Sequence, residues 1–257
     1  MAIYLWNGTA PDTELCGDQA QPSLEPFEIE GSKGAVIVCP GGGYSSKADY
    51  EGAPIAKMIN EAGISAFVLD YRVRPFRIET AVGDALRAIR VVRSMGYEKV
   101  AILGFSAGGH LCSMAATQYD LGNPDAEDPI ERLSSRPDGF VPCYGAISFR
   151  LMTWWAKQVL GPERSDLQTL TKYSAEANIT ENTPPAFIWH TADDETVPVE
   201  SAFQLALALS AKGVPHEMHI YPHGRHGLGL AEDDPAVNQW CGQLKRWLLV
   251  QGYGAAK

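Results

Sequence analysis

The stretch of this chain best suited to covalent chemistry is Gly104-Phe-Ser-Ala-Gly108, a serine between two glycines. A G-x-S-x-G string acquires meaning when it sits in a sharp turn that lifts the Ser106 hydroxyl clear of its own backbone. That geometry demands neighbours without bulk. A chance glycine-rich turn would carry the same string, so the flanks decide. Val100-Ala-Ile-Leu103 reads as a short buried strand, and Ala107 to Thr117 suits a helix, so the setting is that of a nucleophile elbow.

A serine hydroxyl attacks a carbonyl only if a base takes its proton, and the base must be oriented by a carboxylate. For a nucleophile on such an elbow the chain order is Ser, then acid, then His. Asp193, Asp194 and Glu195 follow the apolar run Pro185-Ala-Phe-Ile-Trp189 and are the candidate acids. His226, in Gly224-Arg-His-Gly-Leu-Gly229, is the candidate base, with His223 competing in the same loop. Backbone amides must also meet the oxyanion of a tetrahedral intermediate. Gly41-Gly42-Gly43 after the first apolar run, together with the Ala107 amide, can supply them. No Lys-Ser/Thr follows those glycines and no G-x-G-x-x-G is present, which argues against a nucleotide site.

These groups need a scaffold that collects loops at one edge of a sheet. Ala35-Val-Ile-Val-Cys39, Ile64 to Leu69, Val100 to Leu103, Pro185 to Trp189 and His216 to Tyr221 read as strands. Between them run helical stripes: Ile55, Ile59 and Ala62, then Val82, Ala85, Leu86 and Ile89, and further helices are expected over Val199 to Lys212 and Pro235 to Leu249. The alternation predicts an α/β fold with a mostly parallel sheet covered on both faces. One domain over residues 1–257 is expected, with insertions at about 118–138 and 149–183 near a sheet edge, the second a small cap or pocket wall. Within it Trp154 and Trp155, and near the glycines Tyr44, are candidates to line a pocket, with ordinary packing as the alternative.

Composition narrows the partners. Hydrophobic residues make up 45% and charged residues 20% of the 257, as in ordinary folded proteins. A formal net charge of −10 without a basic block disfavours nucleic acid. No run of roughly 18 apolar residues is available to span a bilayer, and no export signal is visible in Met1-Ala-Ile-Tyr-Leu-Trp6. Five scattered cysteines without a C-x-x-C pair fit a reducing, cytoplasmic setting.

Taken together, Pro40-Gly-Gly-Gly-Tyr44, Gly104-Phe-Ser-Ala-Gly-Gly-His110, His190-Thr-Ala-Asp-Asp-Glu-Thr-Val-Pro198 and Gly224-Arg-His-Gly-Leu228 resemble the bacterial α/β-hydrolase esterases. The resemblance is to the acetyl-xylan-esterase-like, or "sugar hydrolase", branch, related to the hormone-sensitive-lipase and prolyl-oligopeptidase-type families, and spans about residues 35–232. It implies the α/β-hydrolase fold and a Ser106–His226–Asp194 triad, selecting Asp194 by its place three residues before Val197 and His226 by its His-Gly loop. It implies oxyanion donors at Gly42, Gly43 and Ala107, no metal or cofactor, and a small-molecule ester substrate, an acetylated sugar above all. Pro40 stands where lipase-like relatives have His, which disfavours bulky lipid substrates. His110 is expected to be structural. A serine peptidase and a non-catalytic binding protein on the same scaffold are the rival readings, and a homo-oligomer is left open.

Overall fold

The computed structural model describes residues 1–15, 17–19 and 21–254, so Cys16 lies outside the described residues. Among the described residues eight strands form one sheet: β1 Ile3–Tyr4, β2 Ser23–Phe27, β3 Gly34–Cys39, β4 Ser65–Asp70, β5 Lys99–Phe105, β6 Gly139–Cys143, β7 Ala186–Thr191 and β8 His216–Tyr221. Their order is β1-β2-β4-β3-β5-β6-β7-β8. β1 pairs with β2 and β2 with β4 antiparallel, and the remaining neighbour pairs, from β4–β3 to β7–β8, are parallel.

The central strands are continuous apolar runs because both faces are covered. Ala35, Ile37 and Cys39 of β3 face one layer together with Phe67, Val100 and Ile102. Val36 and Val38 face the other with Ala66, Ala101 and Leu103. The period of two along each strand therefore splits one sequence run into two cores. On the first face lie α2 (Ile78–Ser94), α3 (Ala107–Thr117) and α6 (Glu200–Ala211); on the second lie α1 (Ala53–Asn60) and α7 (Gln239–Val250). The α/β class, the mostly parallel sheet and the helices on both faces match the expectation from sequence.

Three strands were not legible in the sequence. β1 has two residues, and β2 and β6 carry Pro26 and Pro142, which count against a strand because proline cannot donate to a ladder. The β6–β7 ladder accommodates Pro142 by pairing at Phe140 with Ala186 and at Cys143 with Trp189, on either side of the proline. Two helix boundaries also shift. Ala62 lies beyond α1, because the chain turns at Gly63 in a left-handed conformation. α7 starts at Gln239 rather than Pro235, because the Asp234 carboxylate draws the amides of Ala236 and Val237 into a separate turn.

The insertions flank β6, an interior strand, so the expectation of a sheet edge does not hold. Residues 118–138 lie over α2, tied down by Arg87 to Asp128 and Glu131 and by Arg90 to Asp120. Residues 149–183 contain α4 (Thr153–Leu160) and α5 (Leu167–Lys172) and bury Trp155, Leu160, Leu170 and Tyr173 in the first core layer. Cys39, Cys112, Cys143 and Cys241 are free and buried, acting as small apolar side chains. Among the described residues no helix is long and apolar enough to cross a membrane.

β3 and β5 adjoin at the point where strand order reverses, the place where open α/β sheets bind ligands beyond their carboxyl ends. The loop after β4 that braces this edge is held by a buried ion pair. Arg72 donates through Nε and its backbone N–H to Asp84 Oδ2, each at 3.0 Å, and through Nη2 to Asp84 Oδ1 at 2.6 Å. Burial pushes the Asp84 carboxyl up despite the guanidinium beside it. Removing one partner leaves the other buried and uncompensated, so Asp84→Ala is expected to cost about 3–5 kcal/mol in urea unfolding, with the fluorescence midpoint as the readout.

Candidate active site

Ser106 sits at the tip of β5, before the first residue of α3, with φ 52° and ψ −114°. A conformation of this kind costs a non-glycine residue about 1–3 kcal/mol and persists because its surroundings over-determine it. They do so by close approach of backbones. A Cβ on Gly104 would lie 2.0 Å from Gly108 O, and one on Gly108 would lie 2.0 Å from Cys39 O. The two glycines let β5, α3 and the end of β3 meet. Hydrogen bonds then anchor the turn: Ser106 N–H donates to Cys143 O at 3.0 Å, and Ser106 O accepts from His110 N–H at 3.0 Å and Ala146 N–H at 3.2 Å.

The fold brings Ser106, His226 and Asp194 together from three separate loops. His226 Nε2 lies 2.8 Å from Ser106 Oγ, and His226 Nδ1 lies 2.7 Å from Asp194 Oδ2. Asp194 Oδ1 accepts from the amides of Thr196 at 2.8 Å and Val197 at 2.9 Å. His190 Nε2 lies 3.0 Å from Val197 O and 3.3 Å from Asp194 Oδ2, so its N–H is shared between them. Burial pushes the Asp194 carboxyl up, but hydrogen bonds from His190, His226 and the Val197 amide outweigh it and hold the group well below the usual carboxylate range. A carboxylate can only accept, so His226 Nδ1 carries the proton toward Asp194. Nε2 is left with a lone pair for the Ser106 hydroxyl.

The competing candidates take other places. Asp193 accepts from His223 Nδ1 at 2.9 Å and Gly224 N–H at 2.7 Å, tethering the foot of the His226 loop. The His223 side chain is 84% exposed, and Glu195 is exposed.

The glycine loop after β3 curls through left-handed residues, with φ 136° at Gly42, 64° at Gly43 and 58° at Tyr44. Gly42 is obligatory there, since a Cβ would lie 2.2 Å from Ser46 O. Among the described residues, the amides of Gly42, Gly43 and Ala107 have no backbone or side-chain acceptor. Ala107 is also the first residue of α3, where helical amides are unpaired and the helix dipole favours negative charge. The Gly41 amide, by contrast, is taken by Glu51 Oε2 at 2.7 Å.

Beside Ser106 lies a cavity of about 290 Å³ whose walls include Gly42, Gly43, Met152, Trp155 and His226. Trp154 also reaches it and is 54% exposed at the rim. Trp155 is buried and immobilised by aromatic neighbours: it stacks on Tyr44 with centroids 6.0 Å apart and meets Phe149 edge-on at 4.9 Å. Tyr44 itself does not reach the cavity, which corrects the expectation that it lines the pocket. Its ring is buried behind Trp155 and its hydroxyl donates to His110 Nδ1 at 2.8 Å. His110 donates through Nε2 to Tyr173 O at 2.8 Å, and burial pushes its pKa down to about 4, so it is a neutral strut. A larger cleft of about 750 Å³ runs past Pro40, Lys47, Asp49 and Asp70 and is not lined by Ser106, His226 or Asp194. Among the described residues no group of three or more His, Cys, Asp or Glu side chains is placed to hold a metal ion.

Nothing local in the sequence marks Glu51, which lines the cavity, or Tyr144, whose ring meets His226. Glu51 lies in a polar run that reads as a solvated turn, and Tyr144 follows β6, the strand concealed by its proline.

Comparison with known proteins places these features in a lineage. The BD-FAE family model matches residues 25–209. Over 215 residues the chain is 35% identical to endo-1,4-beta-xylanase B of Butyrivibrio fibrisolvens, covering 77% of this chain and 33% of that protein. Over 245 residues it is 31% identical to an acetylxylan esterase of Xylanibacter ruminicola, covering 90% of this chain and 48% of that protein. The chain thus spans a third to about half the length of these relatives. Its structure superposes on the acetyl ester-xyloside bifunctional hydrolase of Caldicellulosiruptor lactoaceticus with a TM-score of 0.92 at 40% identity, covering 99% of this chain and 97% of that one. With the family match over residues 25–209 and that superposition on a strand–elbow–helix scaffold, the chain belongs to the BD-FAE family and has the α/β-hydrolase fold.

Proposed function

We propose that this protein is a serine ester hydrolase that removes short acyl groups, acetate above all, from carbohydrate alcohols. The observation that carries the reading is the continuous relay from Ser106 Oγ through His226 to Asp194 beside the cavity. His226 takes the Ser106 proton as Oγ attacks the ester carbonyl, and Asp194 orients and stabilises the imidazolium. The oxyanion of the tetrahedral intermediate is met by the unpaired amides of Gly42, Gly43 and Ala107. His226 returns its proton to the departing alcohol, leaving an acyl group on Ser106. Water activated by the same His226 then releases the acid.

Two features support a small acyl group on a sugar. The cavity of about 290 Å³ lies at the lower end of ligand-site volumes, and Trp155 is locked in its wall by Tyr44 and Phe149. Trp154 offers an exposed aromatic face at the rim, suited to the apolar face of a pyranose. The relative from Xylanibacter ruminicola bears the name acetylxylan esterase.

The name of the Caldicellulosiruptor lactoaceticus protein adds a xyloside activity. Glycoside hydrolysis ordinarily requires two carboxyl groups flanking the bond. Glu51 is the one carboxyl group among the residues lining this cavity, and both of its oxygens accept hydrogen bonds. Ester hydrolysis is therefore the better-supported reading.

Ser106→Ala should lower hydrolysis of p-nitrophenyl acetate by roughly 10⁴-fold or more while the circular-dichroism spectrum stays native, and wild-type rates would sink the proposal. On p-nitrophenyl esters of graded chain length and on acetylated xylo-oligosaccharides, kcat/KM should be highest for acetyl groups. A preference for octanoate would remove the sugar-ester reading. Asp194→Asn should cost about 10²–10⁴-fold in kcat and Asp193→Asn far less, and the reverse ranking would reassign the acid. The Asp194 carboxyl is held below its unfolded value, so its stabilisation is present above about pH 4 and is lost as pH falls through the folded value. Urea unfolding should accordingly show the stability gap between wild type and Asp194→Asn narrowing below about pH 4.

A further inference from the structure

Glu51 is a carboxyl group almost without solvent exposure, at 2%. A buried carboxylate is ordinarily paired with a cation, as Asp84 is with Arg72. Among the described residues Glu51 has no Lys, Arg or His within ion-pair distance. It is held by two neutral donors instead: Gly41 N–H to Oε2 at 2.7 Å and Tyr144 O–H to Oε1 at 2.5 Å. The direction of the second bond is settled by a third. Gly229 N–H donates to the Tyr144 oxygen at 2.9 Å, so the phenolic proton is free to point at Glu51. Both carboxyl oxygens are acceptors, an arrangement that favours the ionised form against the burial that pushes this carboxyl up.

This network joins three loops of the site. Gly41 precedes the glycines with unpaired amides, Tyr144 follows β6, and Gly229 closes the loop that carries His226. The Tyr144 ring meets the His226 imidazole edge-on at 5.2 Å, and Glu51 and His226 line the same cavity. His226 contacts Asp194 after β7, Ser106 on the elbow and Tyr144 after β6, and it shares the cavity with Glu51 and Tyr50 before α1. Arg225 on its own loop turns its guanidinium to the carbonyls of His226 and Gly227. The positive charge that appears on His226 as Ser106 loses its proton is thus the cation that Glu51 otherwise lacks, and a charge there favours the ionised form of Glu51.

We propose that Glu51 is a positioning residue of the ester-hydrolysis site: its buried carboxylate locks the glycine loop to the His226 loop through Gly41, Tyr144 and Gly229, and stabilises the imidazolium formed in the transition state. This rests on the roles given above to Ser106 and His226. A merely structural Glu51 would affect folding but not the pH dependence of the reaction.

The test compares pH profiles of p-nitrophenyl acetate hydrolysis for wild type, Glu51→Gln and Glu51→Asp. Glu51→Gln should lower kcat by about 10–100-fold with KM within about threefold, and should move the acid limb of kcat/KM to lower pH by about half a unit to one unit, because a negative charge that favours protonated His226 is gone. Glu51→Asp keeps the charge and should return the limb to its wild-type position. An unmoved limb in Glu51→Gln overturns the electrostatic role, and an unchanged kcat overturns the positioning role. Should Glu51→Gln fail to fold in thermal melts, Tyr144→Phe decides, since it removes the hydroxyl link and leaves the carboxyl group. A loss of about tenfold in kcat at unchanged KM supports the proposal, and wild-type kcat overturns it. Activity retained by Ser106→Ala would instead defeat the triad reading, so the two failures are distinguishable.

Discussion

The site depends on an approach of backbones that leaves no room for a single Cβ. Gly108 packs against the carbonyl of Cys39, and Gly104 against the carbonyl of Gly108, so that β3, β5 and α3 converge within van der Waals contact. This convergence holds Ser106 at positive φ, directs its hydroxyl away from the sheet and presents the first amide of α3 beside it. The glycine loop follows directly from β3, so the same contact sets the distance between the unpaired amides of Gly42 and Gly43 and the Ser106 hydroxyl. A larger residue at Gly104 or Gly108 would separate the Ser106 hydroxyl from the amides of the glycine loop, whatever happened to stability.

Around this point the molecule handles three buried carboxyl groups in three ways. Asp84 is neutralised by Arg72 in a bidentate pair that braces the loop after β4. Asp194 is stabilised by amides and two imidazoles, which keep it ionised and fix the tautomer of His226. Glu51 receives only neutral donors. Burial acts against the charge at all three; it outweighs the donors at Asp84 and Glu51, whereas at Asp194 the hydrogen bonds prevail.

The cavity wall comes from the segment between β6 and β7. That segment is anchored rather than draped over the sheet: Trp155, Leu160, Leu170 and Tyr173 enter the same core layer as α3, and His110 on α3 bonds to Tyr173 O and Tyr44. The aromatic cluster of Tyr44, His110, Phe149 and Trp155 therefore couples the floor of the elbow to the wall of the cavity.

The elbow string around Ser106, the parallel core strands and the order of Ser106, Asp194 and His226 along the chain are legible in the sequence alone. These are local or periodic signals: glycines forced by sterics, apolar runs forced by burial on both faces, and helical stripes. It left Asp193 and Asp194 equivalent as residues, and only a resemblance separated them. Tertiary structure separates them by environment, burying Asp194 against His226 while Asp193 stays at the surface against His223. β6 was hidden because Pro142 contradicts a strand locally, and the cost of its missing N–H is decided by the register with β7. The places of Tyr44 in the core and Glu51 at the cavity are hidden in the sequence for the same reason. Whether a tyrosine faces a cavity or a core, and whether a glutamate in a polar turn faces water or lines the cavity beside His226, depends on loops from distant parts of the chain that meet only when the sheet assembles.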